Sequence, residues 1–163
     1  MLRIARLGHE GATQLKSTDV LALCEQQAER ARLASPHLEV TARVLGPPVG
    51  PIPLAVDAVG EILANLVDNA RRHARSSIAI TVRAEGHGVE LRVADDGPGL
   101  PAGQSERVFG RFVSLDVKGG SGLGLAIARE LARAHGGDLT YEARAFVLCL
   151  PGPSEDLPPG QPR

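Results

Sequence analysis

The sequence predicts an α+β fold: a two-layer α/β sandwich with three main helices on one face of a mixed, mostly antiparallel sheet. Three observations carry this. Apolar residues recur at three and four in some segments, they alternate with polar residues in others, and Gly, Pro or Asp marks most junctions between the two patterns. Asp19 is placed to cap a first helix over about 19–34, with Val20, Leu23, Cys24, Ala28 and Ala31 on one side and Pro36 ending it. Leu38, Val40, Ala42 and Val44 alternate with Glu39, Thr41 and Arg43, a half-buried strand closed by Gly46, Pro47 and Pro48. From about Leu54 to Ala74 the helical period returns, and Val59, Ile62, Leu63, Leu66, Val67, Ala70 and Ala74 form one broad apolar arc. Ile78, Ile80 and Val82, then a Gly86-His87-Gly88 turn, then Val89, Leu91 and Val93 make a hairpin. Residues 97–122 are Gly-rich without an apolar period, a long loop of the kind that is usually functional in a compact domain. A third helix over about 122–135 turns Leu123, Ile127, Leu131 and Ala134 inward and stops at Gly136. Leu139–Ala143 and Ala145–Leu150 close the sheet as two further strands.

With 163 residues, 23% charged and 43% hydrophobic, the chain has the make-up of one globular domain with a core of its own. Its 18 Lys plus Arg against 19 Asp plus Glu give a net charge of -1, so there is no bulk positive field to hold a nucleic acid. Cys24 and Cys149 lie far apart among apolar neighbours, which reads as core filling and not as a disulfide framework or a zinc knuckle. No apolar run approaches the roughly eighteen residues of a membrane span, and Met1–Leu7 is too short for a signal peptide's apolar core. The expected compartment is the cytoplasm. Aromatics are only 2% of residues, yet Phe109 and Phe112 stand within four positions of each other, which marks that segment out. From Pro151 onward the chain holds five of the twelve prolines and is expected to be disordered.

Three polar features ask for a ligand. On the second helix Asn65, Asn69, Arg72 and His73 fall in one stripe on the flank of the apolar arc, aiming two amides and a guanidinium at one place. A solvated polar face is the plainer alternative for that stripe. Asp95 has the parity of Val89, Leu91 and Val93, so its carboxylate points toward the helix layer, where the exocyclic amine of a purine is one natural donor. Gly97 and Gly99 leave room for a flat ring against the backbone, although an Asp-Asp-Gly-Pro-Gly run also makes turns readily, the better reading for Asp96. Gly120, Ser121, Gly122, Leu123, Gly124 and Leu125 open the third helix, and Gly-rich backbone at a helix N-terminus suits phosphate oxygens. The spacing is not that of a P-loop.

Taken together, Asn65–Arg72, Asp95–Gly99, the Arg107–Phe112 segment and Gly120–Leu125 stand in the order of the N, G1, F and G2 boxes. Over roughly residues 19–151 the sequence resembles the ATP-binding catalytic domain of bacterial sensor histidine kinases, whose Bergerat fold is shared with gyrase B, MutL and the heat-shock chaperone ATPases. The resemblance implies ATP and Mg2+ as cofactors. It implies Asn69 as the metal ligand, with Asn65 and Arg72 as the other catalytic residues, Arg72 facing the phosphates. His73 would pack near the nucleotide, Asp95 would accept from the adenine amine, and Gly97, Gly99 and Leu100 would line the base pocket. Phe109 and Phe112 would precede an ATP lid, and Gly120–Leu125 would hinge it and cradle phosphate.

The resemblance also implies partners: ATP and ADP, the dimerisation and phosphoacceptor domain of the same kinase and, indirectly, a response regulator, with no nucleic acid. Residues 1–18 would be the remnant of a dimerisation helix and linker, 19–151 the catalytic domain and 152–163 a tail. The fragment alone would be a monomer, the cytoplasmic part of a longer kinase. Two departures stand out: Ser114–Gly119 is a short lid, and the last hairpin turns at Ala143-Arg144-Ala145 without the family's longer Gly-containing turn. No His begins a His-Glu-x-x-x-Pro phosphoacceptor motif, since Gly11 follows His9-Glu10. The sequence is also compatible with three alternatives: an ATP-hydrolysing switch using Glu61 one turn before Asn65, an anti-sigma serine kinase, and a non-catalytic nucleotide-binding module.

Overall fold

The computed structural model describes residues 14–113 and 122–153. In chain order its elements are β1 (Lys16–Thr18), α1 (Val20–Ala34), β2 (Glu39–Val44), β3 (Ile52–Leu54), α2 (Val56–His73), β4 (Ser77–Glu85) and β5 (Gly88–Asp95). A 3-10 turn at Arg107–Phe109 follows, then α3 (Gly124–Ala134), β6 (Asp138–Glu142) and β7 (Ala145–Leu150). Five strands form one sheet in the order β2-β4-β5-β7-β6. Only β2 and β4 run parallel, and α2 supplies the crossover that a parallel pair requires. Every other pairing is antiparallel. The three helices pack on one face of this mixed sheet, as the alternation and the helical periods predict.

Local chemistry sets the element ends. The Asp19 carboxylate accepts from the Ala22 N–H at 3.0 Å and starts α1. Gly136, at φ 78°, stops the chain after α3 in the left-handed conformation that glycine adopts without penalty. The core is built where the α2 arc meets the sheet: Ile62, Leu63 and Leu66 are fully buried against Ile80, Leu91, Leu139 and Leu148. Each such side chain contributes about 1.5–3 kcal/mol by leaving water.

The structure differs from the sequence reading in four places. On α3 the inward residues are Ala126, Ala128 and Ala132, whereas Ile127 is 39% exposed and Ala134 is exposed. This helix packs closely on α2, so small side chains face inward and the larger Ile is turned out; Leu123 and Leu131 are half-buried. Cys149 is not core filling. It is exposed on the outer face of the sheet, opposite Glu90, while Cys24 is fully buried and its thiol is pushed up to about 12 by burial and the neighbouring Glu25. The loop after β5 contains the 3-10 turn, with Val108 and Phe109 buried. Finally, β1 pairs antiparallel with β3, Lys16 opposite Leu54, which carries residues 16–18 into the domain. The expectations for Met1–Leu7, for Ser114–Gly119 and for the tail from 154 lie outside the described residues.

Candidate functional site

A cavity of about 730 Å³ opens between the polar flank of α2, the end of β5 with its following loop, the N-terminus of α3 and the β6–β7 hairpin. The α2 stripe forms one wall: Asn65, Asn69, Arg72 and His73 all line it. Asn65, Asn69 and Arg72 make no hydrogen bond or ion pair with any described residue. Polar groups held ready beside an apolar arc, and not consumed by the fold, are what a binding wall requires. Arg71 also lines the cavity, but its guanidinium is engaged with Asp68 at 2.9 Å and the Ser35 hydroxyl at 3.0 Å, tying α2 to the end of α1.

Asp95 reaches the cavity from the end of β5, as its parity predicts. Its Oδ1 accepts from the Gly97 N–H at 2.8 Å, and no described residue donates to Oδ2. The neighbouring Asp96 is turned to the fold: its carboxylate accepts from the amides of Arg75, Ser76 and Ser77 at 2.7–3.1 Å and from the Ser76 hydroxyl. The Ser76 hydroxyl and amide, then the Ser77 and Arg75 amides, hold the Asp96 carboxyl well below the usual carboxylate range. This carboxylate fixes the turn between α2 and β4.

Gly99 and Leu100 line the cavity, whereas Gly97 does not. A Cβ on Gly97 would lie 2.2 Å from the His73 carbonyl oxygen, so this glycine is needed for the close approach of the loop to the C-terminus of α2. Gly122, Gly124 and Leu125 line the opposite end. The Leu123 side chain does not cap α3, and no described side chain accepts from its first-turn N–H groups, which lie beside the cavity. The Phe112 N–H donates to the Gly122 carbonyl at 3.0 Å, joining the two ends of the segment between them. Gly120 and Ser121 lie outside the described residues.

Two aromatic expectations separate. Phe109 is buried away from the cavity, edge-on to Phe146 at 6.0 Å with the Arg129 guanidinium 4.5 Å over its ring, and Phe112 is 76% exposed. Leu123 likewise stands outside the lining, as does Glu61, the carboxylate one turn before Asn65. The sequence reading missed Val108, Tyr141 and Phe146, which supply the apolar lining beside Leu100. Both rings belong to the final hairpin, more than forty positions after Asp95, and only the β5–β7–β6 pairing brings them there.

The chain matches the family described as histidine kinase-, DNA gyrase B-, and HSP90-like ATPase over residues 55–154. It is 35% identical over 153 residues to the sensor-type histidine kinase PrrB of Mycobacterium tuberculosis (strain ATCC 25618 / H37Rv), an alignment covering 83% of this chain and 32% of PrrB. Among solved structures it is similar to the ATP binding domain of PrrB from Mycobacterium tuberculosis, with a TM-score of 0.69 and 29% identity over 84% of this chain and 96% of that one. It is also similar to full-length ShkA in complex with AMPPNP, with a TM-score of 0.72 and 30% identity over 83% of this chain and 30% of that one. The chain thus spans about a third of the full-length relatives it matches here.

Proposed function

The chain belongs to the histidine kinase-, DNA gyrase B-, and HSP90-like ATPase family as an ATP-binding catalytic domain of the sensor histidine kinase kind, and we propose that it binds Mg-ATP and passes the γ-phosphoryl group to a histidine on a separate dimerisation domain. The observation that carries the reading is the single cavity wall on which Asn65, Asn69 and Arg72 stand without partners among the described residues, facing an Asp95 to whose Oδ2 no described residue donates. Asp95 accepts from the adenine amine at one end. Arg72 and the open N-terminus of α3 meet the phosphates at the other, two positive groups where negative charge is greatest. Val108, Leu100, Tyr141 and Phe146 take the base out of water between them.

In this reading Asn69 would hold the metal. Among the described residues no three His, Cys, Asp or Glu side chains converge on one point. Mg2+ typically keeps several waters and is held through one or two protein oxygens plus substrate phosphates, so a single amide oxygen fits a metal that arrives with the nucleotide. Bound there, the metal would neutralise charge on the β- and γ-phosphates. The protein side of the chemistry is positioning: the acceptor imidazole attacks the γ-phosphorus, the bond to the bridging oxygen breaks, and ADP leaves. No covalent nucleophile of this chain takes part. Binding of AMPPNP by the similar ShkA supports a nucleotide in this cavity. A water-activating switch would need a free carboxylate at the phosphate end, and Asp68, the cavity carboxylate nearest Asn69 along α2, is paired with Arg71.

Calorimetry of the chain with ATP, ADP and GTP in the presence and absence of Mg2+ tests the reading. ATP and ADP are expected to bind and GTP to bind much more weakly, with Mg2+ strengthening ATP. Equal affinity for GTP and ATP, or no binding of either, would overturn it.

A further inference from the structure

The β6–β7 turn consists of Ala143 and Arg144, and both hold positive φ, 46° and 63°. Gly, Asn and Asp adopt this pair of conformations readily, so Ala-Arg is a costly choice for turn formation alone. What the choice achieves is visible at the far end of the Arg144 side chain. Its Nη2 donates to the Gly97 carbonyl at 2.6 Å. On the adjoining strand the Tyr141 hydroxyl oxygen accepts from the Leu100 N–H at 3.1 Å. These two bonds hold the Gly97–Leu100 segment at both ends. Between them Gly99, at φ 72°, lies so close that a Cβ there would come within 3.0 Å of the Tyr141 hydroxyl. The Tyr141 ring rests edge-on against Phe146, centroids 5.0 Å apart, and both rings line the cavity.

We propose that Tyr141 and Arg144 are positioning residues for the base end of the nucleotide: they latch the Gly97–Leu100 segment to the hairpin and fix its place relative to Asp95 before a ligand arrives. The proposal rests on reading the cavity as the ATP site. Gly97 is held from two sides, its N–H by Asp95 and its carbonyl by Arg144, so the latch and the base-reading carboxylate share one short loop. A pocket ordered in advance binds more tightly because less freedom is lost on binding. The hairpin tip therefore gives up turn stability in exchange for a preformed base slot.

That exchange makes stability and affinity move independently, which a purely structural role would not allow. The full chain carrying Ala143→Gly relieves a positive φ without touching the latch, and its melting temperature is expected to rise while ATP and adenosine affinities stay at the parent's values. Arg144→Gly relieves the same kind of conformation but cuts the latch. It is expected to melt no lower than the parent, yet to lose roughly tenfold in affinity for adenosine, ADP and ATP alike, the scale of one lost hydrogen bond. Arg144→Lys, which keeps a donor for the Gly97 carbonyl, should recover part of that loss. Parent-like adenosine affinity in Arg144→Gly would overturn the latch, and so would a loss confined to ATP, which would place Arg144 at the phosphates. Should the parent bind none of the three compounds, the ATP reading fails by itself. The latch is then decided without ligand: amide exchange at Gly99 and Leu100 must quicken in Tyr141→Phe and in Arg144→Gly, and unchanged exchange overturns it.

Discussion

At the residue scale, two adjacent carboxylates at the end of β5 are set to different tasks by their hydrogen bonds. Asp95 accepts one backbone N–H on Oδ1 and no described residue donates to its Oδ2, whereas Asp96 accepts three backbone N–H groups and a hydroxyl. Asp95→Asn retains an acceptor for Gly97 but would lose the proposed charge-assisted bond to the base, worth about 1.5–3 kcal/mol, so nucleotide affinity should fall roughly ten- to hundredfold with the melting temperature unmoved. Calorimetry and thermal melting of the same sample check both halves. For Asp96 the folded pKa lies below the unfolded value of about 3.9, so its stabilisation is complete above that pH and declines as pH falls through and below it. Asp96→Ala should therefore lower the urea midpoint at pH 7 and lower it less at pH 3.5. An equal deficit at both pH values would mean that the ionised carboxylate is not what holds the turn. The sequence favours the ligand for Asp95 through strand parity and the turn for Asp96 through the Asp-Asp-Gly-Pro-Gly run, but the amides that Asp96 caps come from the α2–β4 junction, some twenty positions earlier, and no local pattern announces them.

At the scale of elements, α2 carries both the core and the site on two flanks of one helix, and the two should respond separately to substitution. Asn69 lies off the arc of Ile62, Leu63 and Leu66, so Asn69→Ala is expected to leave stability nearly unchanged while removing the Mg2+-dependent part of ATP affinity. Melting of the domain with Mg-ATP affinity intact would make the stripe structural instead. Where α3 meets this flank, a Cβ on Gly124 would stand 3.2 Å from the Asn65 Oδ1. Gly124→Ala gains up to about 1 kcal/mol of helix propensity but presses on Asn65, so the melting temperature should hold or rise while ATP weakens more than adenosine. Comparing the two ligands on that variant separates a phosphate-end effect from a general one. The elements legible in the sequence are those with long, strong periods: the eighteen residues of α2 show an unbroken arc, and the β4–β5 strands alternate cleanly around a Gly turn. The phase of α3 is not legible because its eleven residues include four alanines, and an alanine faces a close helix neighbour or solvent equally well. The pair β1 and β3, three residues each, is too short to show a period at all.

At the scale of the molecule, sheet order decides what the sequence leaves scattered. The G1 and N segments are readable one by one, but the hairpin residues Tyr141, Arg144 and Phe146 enter the site only because β7 inserts between β5 and β6. The same geometry bears on the phosphate acceptor. Of the five histidines, His73 lines the cavity at the end of α2, and His135 has its Nδ1 2.7 Å from the Leu131 carbonyl oxygen. His37 and His87 are exposed on turns, and His9 lies outside the described residues without the His-Glu-x-x-x-Pro pattern. Among the described histidines His73 alone stands beside the cavity, and its backbone carbonyl is packed against Gly97, which fixes its backbone in the wall and not on a separate element that could approach in line with the γ-phosphate. The chain incubated alone with Mg2+ and radiolabelled ATP is therefore expected to acquire no acid-labile, base-stable phosphate. Adding a dimerisation domain from a related kinase in trans should give weak labelling of that domain's histidine, weak because no tether raises the effective concentration of the acceptor. Stoichiometric label on the chain itself, lost on His73→Ala, would show that the wall of the cavity is also the acceptor.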